Sequence, residues 1–87
     1  MDYKLILNYL NPHVDNKIKE YNKKSFIGKT MIKYLERSRR EYEFCLSKKN
    51  QKIYVDFLDA LMYNIINMVD LENDSGIHNL LRRYKIS

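Results

Sequence analysis

The segment KIYVDFLDALMYNIINMVDL, residues 52–71, decides the fold. Within it, Tyr54, Leu58, Leu61, Ile65 and Met68 recur at alternating intervals of four and three, the spacing of one face of a helix. A second apolar row, Val55, Met62, Ile66 and Val69, lies beside the first. Only Asp56, Asp59, Tyr63, Asn67 and Asp70 form a polar edge. A helix this apolar around its circumference has to be covered on most sides. The remainder of the chain must supply that cover.

Working back toward the N-terminus, Ser47-Lys48-Lys49-Asn50-Gln51 breaks the pattern and reads as a connection. Before it, Ser25 is a suitable N-cap for a helix over 26–46, with an apolar stripe of Ile27, Met31, Tyr34, Leu35, Tyr42, Cys45 and Leu46. Asp2 can cap a first short helix, 3–10, that places Tyr3, Leu7 and Leu10 on one face. The alternation Tyr3, Leu5, Leu7, Tyr9 would also suit a strand. Asn11-Pro12 then reads as a fresh start, Asn as N-cap and Pro at the first helical position, followed by Val14, Ile18 and Tyr21. Glu20 stands four residues before Lys24, the spacing of a helical ion pair. Beyond the long helix, Glu72–Gly76 signals a stop, and a last helix over 76–84 offers Ile77, Leu80, Leu81 and Tyr84.

These elements imply an all-α chain: one domain over 1–87, folded as a small antiparallel bundle of three to five helices. Two glycines and one proline are too few for the turns of an all-β fold. A chain of 87 residues buries only about 60% of the surface it exposes when unfolded. The seam Tyr54, Leu58, Leu61, Ile65 and Met68 is therefore a candidate for the core or for a homodimer contact that completes the bundle, with Leu61 and Ile65 central in the dimer.

Charge is segregated along the chain. Sixteen basic against eleven acidic residues give a net +5, yet residues 53–74 hold five acids and no Lys or Arg. Residues 25–52 hold eight basic and three acidic side chains. Lys29, Lys33, Arg37 and Arg40 recur on one face of the 26–46 helix, with Phe44 on the same row and Arg82, Arg83 and Lys85 as an extension. A cationic face with an aromatic can follow phosphates and stack a base. Charged helix faces are also commonly just solvated, and Glu36, Glu41 and Glu43 interleave here. This row could equally meet an acidic protein or the acidic edge of 52–71. Abundant Lys, Asn, Ile and Tyr, all with AT-rich codons, point to a low-GC or viral genome and inflate the lysine count independently of binding.

Catalytic and metal patterns are weak. Gly28-Lys29-Thr30 resembles the end of a phosphate loop, but Lys23 stands where the earlier glycine is needed. His13, His78 and Cys45 are too few and too dispersed for a structural zinc site. Cys45 lies on an apolar stripe and reads as a small core residue; His13 reads as exposed or capping. Asp56 and Asp59 suit a helix start better than acid–base work, because no Glu-x-x-His element faces them. The sequence therefore leads to a non-enzymatic interaction or regulatory protein that takes no cofactor, metal or small-molecule substrate. A protein partner and self-association through 52–71 are expected first, and nucleic-acid binding on the basic face of 26–46 is the alternative. One unpaired cysteine, no secretory leader pattern and no uncharged apolar run of membrane-spanning length lead to a cytoplasmic setting without a membrane partner.

Overall fold

The computed structural model describes residues 2–48 and 50–84. Lys49 and Lys85, and the side chain of Tyr84, lie outside that description. The described residues form four helices and no strand: α1 (Tyr3–Glu20), α2 (Phe26–Ser47), α3 (Lys52–Met68) and α4 (Ser75–Tyr84).

Long-range contacts fix the directions. The Tyr3 hydroxyl donates to Asp59, and Lys17 reaches Asp70 at 2.6 Å, so α1 and α3 run the same way. The Tyr42 hydroxyl donates to the carbonyl of Tyr3 at 2.6 Å, and Arg39 meets Asp15 at 2.7 Å; α2 therefore runs against α1. α2 and α3 form the tightest pair, an antiparallel helical hairpin. α4 turns back onto α1. The core is shared by all four helices. Ile6, Leu10 and Val14 of α1, Leu35 and Tyr42 of α2, Leu58, Met62 and Ile65 of α3, and Ile77 of α4 are wholly buried.

The N-terminal third differs from the sequence expectation. Neither a strand nor a break is present: α1 is one 18-residue helix with Pro12 inside it. Asn11 is not a cap. Its Oδ1 is buried without a hydrogen-bond partner, while Asp2 caps the whole helix by accepting from the Leu5 amide at 3.0 Å. The stripe Tyr3, Leu7, Leu10, Val14, Ile18 stays in phase across Pro12, and burying it outweighs the hydrogen bond that proline cannot make. Because α1 ends at Glu20, the expected Glu20–Lys24 pair is absent, and Glu20 lies 3.6 Å from Lys17 instead.

Helix α3 stops at Met68, three residues short of the expected end. Asp70 adopts a left-handed backbone (φ 60°), the Leu71 amide donates to Ile66, and the Asp70 amide to Asn67. This is a Schellman stop with Leu71 buried behind it. The following turn is latched by Asp74, which accepts from the Tyr9 hydroxyl at 2.6 Å and caps α4 through the Ile77 amide at 2.9 Å. The Tyr9 hydroxyl and the amide bond hold the Asp74 carboxyl below the usual carboxylate range.

On α2, Ser25 caps as expected, accepting from the Gly28 amide at 2.9 Å. Its buried face, however, is Leu35, Ser38, Tyr42 and Cys45. Ile27 and Tyr34, expected on the stripe, are exposed: the α1–α2 turn covers the Gly28 side of the helix start instead, and Tyr34 lies on the rim of the α2–α3 seam. Ser38, small and buried, sits where the two helices approach. No helix among the described residues is long and apolar enough to cross a membrane.

Two outcomes follow from this packing. Pro12→Ala restores an interior helical amide at an exposed position and is expected to raise unfolding free energy by about 2 kcal/mol; a lower urea midpoint would show that the core needs the proline. Burial also pushes the Tyr42 and Tyr3 hydroxyls above the usual 10. The folded state therefore keeps these protons to higher pH than the unfolded chain. The contribution of these hydroxyls to stability should be complete below pH 10 and fall above it, and Tyr42→Phe should flatten that loss in thermal melts between neutral and strongly alkaline pH.

Candidate partner-binding groove

The expected dimer seam divides in two. Leu58 and Ile65 are fully buried inside the four-helix core and cannot meet another chain. Tyr54, Leu61 and Met68 pack against that core while remaining partly accessible. Ile65 is thus removed from the seam. The heptad rule located an apolar face correctly, but α1 and α2 already cover most of it.

What stays open is the groove along the α2–α3 hairpin. It is lined by Phe44 and Cys45 from α2 and by Tyr54, Phe57, Ala60 and Leu61 from α3, and it encloses about 610 Å³. Its aromatics form a chain of edge contacts: Phe44 to Tyr54 with ring centres 5.9 Å apart, and Tyr54 to Phe57 at 6.3 Å. Phe44 remains 55% exposed and Phe57 49%, with Ile53 beside them at 58%. Half-exposed aromatic rings on a regular hairpin are costly in water and favourable in a contact.

Polar groups close the far end. Arg37 Nε meets Glu41 at 3.0 Å on the rim, and Asn64 Nδ2 lies 3.4 Å from the Tyr34 hydroxyl. Cys45 sits buried on the groove floor, and burial pushes its thiol above the ordinary value, with Glu41 adding to the effect. That holds it in the thiol form, a small apolar group rather than a nucleophile.

The basic row keeps only part of its expected character. Lys29, Lys33, Arg37 and Arg40 are all exposed on α2. Arg37 pairs with Glu41 on its own helix, whereas an ion pair between this row and the acidic edge of 52–71 is missing among the described residues. Phe44 leaves the row functionally, since its ring belongs to the groove. Arg82 and Arg83 are exposed on α4, which packs on α1 and not on α2, so they do not extend the row.

The remaining motifs find ordinary roles. Gly28-Lys29-Thr30 is inside a helix, with the Thr30 hydroxyl donating to the Phe26 carbonyl. Asp59 holds the Tyr3 hydroxyl, and Asp56 faces solvent. His13 lies against Tyr9, and His78 Nε2 is 2.6 Å from the Glu72 carbonyl oxygen. Among the described residues no cluster of three or more His, Cys, Asp or Glu side chains is placed to hold a metal.

No family model, curated protein or solved structure matches this chain. Its surface chemistry has to speak for it. The sequence reading missed Ile53, Phe57 and Ala60 as a face; their i, i+4, i+7 spacing was visible but was absorbed into the apolar bulk of the helix.

The groove and the core separate by mutation. Phe57→Ser should change unfolding free energy by less than about 1 kcal/mol, since half the ring is already in water. Leu58→Ala, one residue on, should cost about 2–5 kcal/mol. Urea unfolding of the two variants checks the contrast, and equal losses would mean that Phe57 is a core residue.

Proposed function

We propose that this chain is a non-enzymatic interaction protein that self-associates through the α2–α3 groove and acts on a protein partner in the dimeric form. The half-exposed aromatic face of Phe44, Tyr54 and Phe57 carries this reading. An apolar face on a regular hairpin is the surface type found at the centre of protein contacts.

Charge placement favours a second copy as the occupant. Two α3 helices crossing antiparallel at Phe57 would bring Ile53 of each against Leu61 of the other. The same register sets exposed Lys52, at the start of α3, toward Glu41 of the second copy, which on its own helix already lies 3.0 Å from Arg37 and would be shared between the two cations. The two-fold operation makes that complementary contact twice.

Nucleic acid along α2 is the weaker reading, because Phe44 and Arg37 are engaged elsewhere. A cytoplasmic setting belongs to the same proposal and rests on the single buried, unpaired Cys45.

Light scattering at high micromolar concentration should return the dimer mass. Lys52→Glu and Glu41→Lys should each weaken association about tenfold, and the two together should restore it. Strict monomer behaviour of the parent chain, or a double variant no better than the singles, would overturn the proposal.

A further inference from the structure

The opposite end of α2 has a different chemistry. Phe26 is 84% exposed and Ile27 73%, the most open of the large apolar side chains among the described residues. They are adjacent, at the start of α2, about 27 Å along the helix from Phe44. Lys19, Lys23, Lys24, Lys29 and Lys33 are exposed around them, and no acidic residue falls between Glu20 and Glu36 in the chain.

The turn holds this pair outward. The Asn22 carbonyl accepts from both the amide and the hydroxyl of Ser25 at 3.3 Å, and Asn22 Oδ1 accepts from the Lys24 amide at 2.9 Å. Gly28 backs directly onto the same carbonyl: a Cβ there would lie 1.9 Å from the Asn22 oxygen. The close approach fixes the turn against the helix start. Beside it, Lys23, Lys29 and Lys33 rim a hollow floored by Ile18 and Ile32, with Glu36 at its edge. The other acids of this end, Glu20 and Asp70, both lie against Lys17.

We infer that this tip docks on an anionic lipid surface, with Phe26 and Ile27 entering the acyl boundary and Lys23, Lys24, Lys29 and Lys33 meeting headgroup phosphates. A protruding apolar pair ringed by cations suits a bilayer, which accepts it without needing a matching pocket. Duplex nucleic acid would leave Phe26 and Ile27 in water. The charges are lysines, point cations that suit a diffuse anionic surface and not the forked recognition of a single phosphate. Docking of this kind needs no membrane-crossing helix, and it departs from the sequence expectation of no membrane partner.

Co-sedimentation of the full chain with phosphatidylcholine vesicles, with and without phosphatidylglycerol, tests this inference. The mixed vesicles should carry the protein down, and pure phosphatidylcholine should leave it in solution. The F26S/I27S double variant, altered only at exposed positions and checked for helicity by circular dichroism, should bind at least tenfold more weakly. Lys23→Glu and Lys24→Glu should each cost about fivefold or more. Absence of binding to the anionic vesicles overturns the inference. So does unchanged binding by F26S/I27S, or a short DNA duplex bound more tightly than the vesicles, since charge alone would then account for the surface. Neither Phe26 nor Ile27 touches the α2–α3 groove, so loss of vesicle binding and loss of dimerisation are separate readouts.

Discussion

Burial of Leu58, Met62 and Ile65 is the constraint on which the rest of this structure depends. Three large apolar side chains on successive turns of one helix need walls on two sides. α2 supplies one wall by folding back through a short connection, and α1 supplies the other. Each such side chain contributes about 1.5–3 kcal/mol when removed from water, far more than any surface ion pair here. The polar contacts then determine direction rather than amount. Tyr3 to Asp59, Tyr42 to the Tyr3 carbonyl and Arg39 to Asp15 set which end of each helix meets which.

The two outward surfaces lie at opposite ends of the longest helix. α2, at 22 residues, is longer than either α1 or α3. At its C-terminal end only α3 packs alongside the face holding Phe44, which leaves the groove. At its N-terminal end the α1–α2 turn covers Gly28, which leaves Phe26 and Ile27 open. The exposed apolar residues are thus concentrated at the places where the bundle lacks a neighbour.

Much of this was legible from residue spacing. The α3 rows, the Ser25 and Asp2 caps, the buried Cys45 and the 47–51 connection, less Ser47, which ends α2, rest on local rules that tertiary packing did not disturb. The break at Asn11-Pro12 failed for an instructive reason. Proline at a helix start and proline inside a helix look alike locally, and only the stripe from Tyr3 to Ile18, unbroken in phase, distinguishes them. The seam shows a different limit: periodicity marks a face as apolar without saying whether the same chain or another covers it, and here the core takes Leu58 and Ile65. Ile27 is misplaced because no local signal reports which side of a helix start the preceding turn covers. The stop at Asp70 escaped notice because an aspartate, not a glycine, takes the left-handed position.

The latch between Tyr9 and Asp74 determines how the molecule comes apart. α4 has ten residues, packs chiefly on α1 with Ile77 and Leu81 beside Tyr63 and Ile66 of α3, and places one wholly buried side chain, Ile77, in the core. Gly76 lies so close to the Tyr9 hydroxyl that any side chain there would displace it. Segments with few buried contacts open as units before the rest of a structure. α4 is such a unit here, and its amides should exchange with solvent through an opening that leaves the α1–α2–α3 core closed. That opening uncovers Tyr63 and Ile66 on α3, away from both outward surfaces of α2. The three-helix core and the C-terminal helix are therefore two grades of permanence within one chain.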